Sequence, residues 1–198
     1  MRVIILGAIA SVISLASCNN ETKEAVKDAD STNEANGVAI QDSIVNHPTI
    51  TEKVVTDKDG SEFLVRASAA GNTEVKGAKL GKEKAASVEV RRFSEMLERD
   101  HEAANMEVSK LATARDVTLP ADSMNPMLKD LGKLEGSKFD RKYMDEMIKG
   151  HKKTIDLFEK YQDKTNDTTI RGFIQKTLPV LRQHLDSAEV IDKLVKKA

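Results

Sequence analysis

From about residue 57 onward, apolar and small residues recur every three or four positions, and four long segments keep that helical period. The first, about Asp57 to Lys84, puts Phe63, Ala67, Ala70, Glu74, Gly77 and Gly81 on one stripe. Gly71 is a weak point in it, where a break or kink is expected. The second, about Ser87 to Arg115, carries Val90, Ser94, Leu97, His101, Ala104, Val108 and Leu111, with Leu119-Pro120 beyond its end. The third, about Ser137 to Asp163, carries Asp140, Met144, Met147, His151, Thr154, Phe158 and Tyr161. Ser137 is the expected N-cap and Asp140 its capping-box partner. The fourth, about Asp167 to Lys196, carries Ile170, Ile174, Thr177, Leu181, His184, Ala188, Ile191 and Val195, and internal Pro179 is expected to kink it. A shorter helical piece lies around Met124 to Leu134. The pattern predicts an all-α four-helix bundle with a short extra helix between helices two and three, in one domain over 57–198.

How helices two and three connect is open. A 30-residue helix is about 45 Å long. The link over 116–136 can just cross that length, since ten extended residues reach about 33 Å and eleven helical ones add about 16 Å. Ferritin-like topology requires such a crossover, and a simple up-down-up-down order needs none.

Upstream of the bundle the pattern changes twice. Val3 to Leu15 is almost unbroken apolar chain after Arg2, too short for a permanent span of roughly 20 residues, and it reads as a signal segment over 1–17. Leu15-Ala16-Ser17-Cys18 resembles the lipobox of bacterial lipoproteins, which implies cleavage before Cys18, acylation of that residue and a membrane as partner. Residues 18–56 are polar, without a sustained apolar period, and read as a flexible tether. His47 falls within it, before Pro48. Cys18 is the one cysteine, so no internal disulfide exists and packing must hold the domain.

Charge narrows the function. Lys and Arg number 31 against 32 Asp and Glu, interleaved along the helices, and no basic stripe with aromatics marks a nucleic-acid surface. The chain has no Gly-rich phosphate loop, no GxSxG and no paired-cysteine metal knuckle.

The remaining chemistry is in three histidines. His101, His151 and His184 each lie on an inward stripe, within about one turn of their helix midpoints. In a bundle of equal-length helices the midpoints share a layer, so the imidazoles are expected to meet, with Glu74 approaching from the first helix. Three imidazoles and a carboxylate suit a transition metal such as iron, zinc or copper. Glu98 joins the candidate set because Glu98-x-x-His101 repeats the spacing of ferritin-like di-metal bundles. Ile148 and Leu181 stand where helices three and four would need the same glutamate, so the carboxylate-rich di-iron set is incomplete. Met144 and Met147, one turn from His151, would suit copper(I) but equally fill a core. Asp100 is either an orienting group or an exposed carboxylate. Two other readings stand beside metal binding: a satisfied polar layer that fixes helix register, and a catalytic or proton-handling role without metal.

Together "EFLVRASAAGNTEVKGAKLGKEKA", "MLERDHEAANMEVSKLA", "LEGSKFDRKYMDEMIKGHKKTIDLFEKY" and "FIQKTLPVLRQHLDSAEVI" resemble domain-of-unknown-function family 4142, over about Gly60 to Ile191. The markers are Glu74-Val75, Asp100-His101, Phe139-Asp140 with Tyr143 and His151, Leu178-Pro179 and His184-Leu185. The resemblance implies a ferritin-like bundle in a bacterial, mostly exported family whose members often carry an outer-membrane label. It implies no activity. Where the family often has Asp-His in the third helix, Gly150 precedes His151 here. The expectation is therefore a lipid-anchored envelope protein, outer membrane rather than inner, with a possible metal site. A ferritin-like oxidoreductase and a purely structural or interaction lipoprotein are the alternatives.

Overall fold

In the computed structural model, residues 21–46, 56–123 and 125–197 are described, and of these the side chains of Glu21 and of residues 37–46 are not. The signal segment, Cys18 and His47 lie outside the described residues. Six helices make up the described chain: α1 Glu21–Asn46, α2 Lys58–Lys84, α3 Val88–Thr113, α4 Pro126–Leu131, α5 Gly136–Gln162 and α6 Thr168–Lys197. No strand occurs among the described residues. The protein is all-α, and α2, α3, α5 and α6 form a bundle.

Helix starts follow local chemistry. Asp57 caps α2 by accepting from the Gly60 amide at 2.7 Å, and Ser87 caps α3 by accepting from Glu89 and Val90. Asp167 does the same for Thr169 and Ile170 at the head of α6. The capping box expected at Ser137 is not formed. Gly136 begins α5 at φ +59°, a left-handed backbone value that suits glycine, and Glu135 stands before it without a side-chain cap bond. Buried Asp140 serves another helix: its carboxylate accepts from the Ala86 and Ser87 amides at 3.1 and 2.8 Å, just ahead of α3.

Two residues expected to disturb their helices, Gly71 and Pro179, lie inside continuous ones. α2 continues through Gly71, where a Cβ would come within 1.9 Å of Asn105 Oδ1, so glycine there admits a neighbouring helix. α6 continues through Pro179.

Contacts at the two ends fix the helix directions. Lys84 at the end of α2 pairs with Glu135 at the start of α5. At the other end, the Tyr161 hydroxyl donates to Glu62 at 2.6 Å. α2 and α5 are therefore antiparallel, while α3 and α5 run the same way. The link between those two must travel the length of the bundle. It leaves beside the Arg115–Asp167 pair, passes Ser123, whose carbonyl accepts from Lys76 at 2.9 Å, and reaches Leu128 above Gly77. The crossover that the link was just long enough to make is made.

The interior divides into two apolar clusters. The first joins Phe63, Phe158, Phe173 and Tyr161 with aliphatic residues of all four helices. The second centres on Phe93, Leu97, Phe139, Tyr143, Met144 and Met147, with Leu128 and Leu131 of the crossover closing it. Glu74, His101, His151 and His184, all buried, belong to neither.

The stretch read as a flexible tether differs over Glu21–Asn46, which is α1 and lies against α2. Its inward stripe is small and polar: Ala25, Val26, Ala29, Asp30 and Asn33, of which only Ala29 is fully buried. Asn33 exchanges two hydrogen bonds with the Thr118 backbone, at 3.0 and 2.7 Å. Such a stripe carries no apolar period to read.

Candidate metal centre

α3, α5 and α6 each deliver one histidine to the same level because each helix buries a stripe and the histidine sits near its middle. The three are 5%, 0% and 2% exposed. Their ring centroids lie 5.3 to 5.5 Å apart in every pairing, and one ligand atom from each falls within 4.8 Å of the others. Among the described residues this is the group of His, Cys, Asp and Glu side chains able to hold a metal.

Hydrogen bonds assign the ring nitrogens. His151 Nδ1 donates to the Met147 carbonyl at 2.9 Å, one turn back on its own helix, which leaves Nε2 as the lone pair of the neutral ring. His184 Nε2 lies 3.1 Å from Asp100 Oδ2 and donates to it, and the opposite nitrogen, Nδ1, is buried without a protein partner. His101 Nε2 stands 3.4 Å from His151 Nε2. Two ligands on a tetrahedral zinc, each about 2.0–2.1 Å from the ion, are separated by about 3.3 Å. The His101–His151 spacing matches that edge.

Electrostatics favour the unprotonated rings where they are perturbed. Burial, then the neighbouring His151 and His184, push His101 down from 6.5 to about 3. Burial also lowers His184, against the pull of Asp100. For Asp100 burial alone would raise the carboxyl, but hydrogen bonds from Arg99 and His184 outweigh it and hold it low. Imidazoles backed by a carbonyl, as at His151, and a carboxylate, as at His184, match the outer support of metal-bound histidines, whose second nitrogen usually donates to such a group.

Glu74 reaches the layer from α2, as expected. It is 5% exposed, and Oε2 lies 3.9 Å from His151 Nδ1 and has no hydrogen-bond partner. Burial raises its carboxyl above the usual range, with His151 opposing. Glu74 therefore stands behind the His151 ring, on its Nδ1 side. Gly150 makes this possible: a Cβ there would come within 2.6 Å of Glu74 Oε1.

Glu98 is not brought to the histidines. Its carboxylate pairs with Lys82 and lies 3.9 Å from Lys79, both on α2. Three residues along a helix is a turn of about 300°, so Glu98 sits about 60° round from His101 and falls on the α2 side of the buried stripe. Met144 and Met147 pack in the second apolar cluster. The role of Asp100 was half legible: it orients an imidazole, but that of His184 across the bundle, not that of its neighbour His101.

The family model for a domain of unknown function (DUF4142) matches residues 46–191. The chain belongs to that family. Among solved structures, a DUF305 fragment from Deinococcus radiodurans is similar in fold, with a TM-score of 0.63 at 10% identity, covering 73% of this chain and 99% of that one. No curated protein matches the chain.

Proposed function

We propose that this DUF4142 protein binds one transition-metal ion at mid-bundle through His101, His151 and His184, and that its bundle is ferritin-like. The ferritin-like reading rests on the single lengthwise crossover. The observation that carries metal binding is the division of labour within the rings. His151 and His184 each spend one nitrogen on an outer acceptor, Met147 O or Asp100, and keep the other as a lone pair. A polar layer built only to satisfy itself would not leave buried His184 Nδ1 without a partner. Imidazole donors suit zinc, copper, iron(II) and nickel. The membrane anchor at Cys18 belongs to the same proposal, as an address rather than an activity: a lipid-anchored envelope protein, at the outer membrane by preference.

Elemental analysis of the purified full chain, equilibrated with zinc, iron(II) and copper and then dialysed, tests the reading. One ion per chain is expected, lost in His101→Ala, His151→Ala and His184→Ala while far-ultraviolet circular dichroism stays helical. Helical wild-type protein that retains no metal would leave the self-satisfied polar layer as the account. For the address, Cys18→Ala is expected to release the protein from the membrane fraction, and unchanged retention would remove the anchor.

A further inference from the structure

Directly beside the histidine layer, on the side of the Phe63 cluster, lies a cavity of about 20 Å³. A cavity of roughly 10–15 Å³ by the same measure admits a water molecule, so this one holds a water or a ligand of two or three non-hydrogen atoms. Its walls come from all four bundle helices. Glu74, His101, Asn105, Thr154 and Thr177 supply polar side chains to its lining, among apolar ones that include Ala104, Phe158, Phe173 and Leu181. Two independent features meet there: a side chain of the candidate metal group, and Glu74, whose Oε2 is buried without a partner. Three protein ligands also leave a tetrahedral ion one position short, and sites of that kind keep the fourth for water or an exogenous ligand.

We propose that this cavity is the fourth-ligand site, taking a small molecule that coordinates the metal at one end and hydrogen-bonds the Glu74 carboxyl at the other. The class is set by size and polarity: water, or a linear or bent molecule of up to three non-hydrogen atoms with an anionic or lone-pair donor. Larger carboxylates and phosphates do not fit. Glu74 is then the ligand's partner and not a metal ligand, in keeping with its place behind His151. Gly71 and Asn105 form part of the wall where α2 and α3 meet, with the Asn105 amide packed over Gly71. The proposal rests on the metal reading above.

Cobalt(II) separates the two. Its visible absorption when bound to the full-length protein reports the metal before any small ligand is added, and azide is then titrated as the probe. Azide is expected to shift the cobalt bands saturably in wild type. Ala104→Leu fills the cavity from a residue outside the metal ligands, so it should bind cobalt as wild type does but lose the azide response. Ala104→Val, a milder filling, guards against misfolding and should weaken it. Glu74→Leu, which keeps the bulk but carries no hydrogen-bonding group, should bind cobalt and weaken azide by about tenfold, the effect of one hydrogen bond to a charged partner. Cobalt bands indifferent to azide, or equal azide affinity in wild type and both Ala104 variants, would overturn the proposal while sparing the metal site. No cobalt spectrum in folded wild type would overturn both.

Discussion

Two buried polar sites in this bundle differ in how completely their atoms are used. Near one end, Arg115 and Asp167 are 4% and 8% exposed at their side chains and form a bidentate pair at 2.6 and 2.9 Å. Arg115 also donates to the Leu111 carbonyl, and Asp167 accepts from two amides at the start of α6. Burial alone would raise the Asp167 carboxyl, but these bonds hold it below its ordinary range. At mid-bundle, Glu74 Oε2 and His184 Nδ1 are buried with nothing to bond. An unmade buried hydrogen bond costs about 1–3 kcal/mol. The end site is finished and holds the fold together; at the middle site the proposed ion would take His184 Nδ1, and the small ligand proposed beside it would take Glu74 Oε2.

Breaking each site should therefore give opposite signatures. Arg115→Ala strands a buried carboxylate, and urea unfolding should show a loss of about 3–5 kcal/mol with metal stoichiometry unchanged. Saturating metal should act only through the middle. At 100 times the dissociation constant it adds about 2.7 kcal/mol, visible as a rise in the thermal midpoint of wild type and of Arg115→Ala but not of His151→Ala.

Acid should distinguish the sites next. The unfolded His101 imidazole has its ordinary value of 6.5, and burial brings the folded one down to about 3. Between those values the unfolded chain binds more protons, so stability is complete above pH 6.5 and falls as pH drops through it. The slope reaches up to about 1.4 kcal/mol per pH unit for each imidazole held neutral. His184, lowered in the same direction, adds to it. Between pH 6.5 and 5, before most carboxylates titrate, His101→Gln should flatten the slope and Arg115→Ala should keep it. An unchanged slope in His101→Gln would place the titration elsewhere.

Two smaller changes sharpen the boundary of the middle site. Gly150→Ala pushes a methyl group against Glu74 Oε1, an overpacking cost of about 1–3 kcal/mol set against the helix gain of about 1 kcal/mol. Removing the obstacle in Gly150→Ala/Glu74→Ala should recover the loss, and a double-mutant cycle without coupling would deny the contact. Glu98→Ala removes a partly exposed ion pair and should change stability by less than about 1 kcal/mol and metal content not at all.

The parts of this picture readable in the chain were those written in apolar spacing. α2, α3, α5 and α6 begin and end within two residues of their expected bounds because long stripes and capping residues such as Asp57 and Ser87 agree with one another. The shared depth of the histidines followed from position along each rod. What escaped reading depended on contacts between distant segments. α1 is held by Ala29 and by Asn33 on Thr118, neither of which makes a hydrophobic period. Asp140 looked like a local capping residue because spacing says nothing of the Ala86 and Ser87 amides across the fold. Glu98 matched a motif by number, but its angular offset turned it to the lysines of α2. Gly150 looked like a lost aspartate. The space it leaves is taken by Glu74.

The most direct measurement is anomalous X-ray diffraction from crystals of the protein soaked in zinc and recorded at the zinc edge. The account predicts one strong peak inside the bundle, about 2.0–2.1 Å from a nitrogen of each of His101, His151 and His184. Peaks confined to the surface, with the three imidazoles unchanged around an unfilled centre, would contradict it.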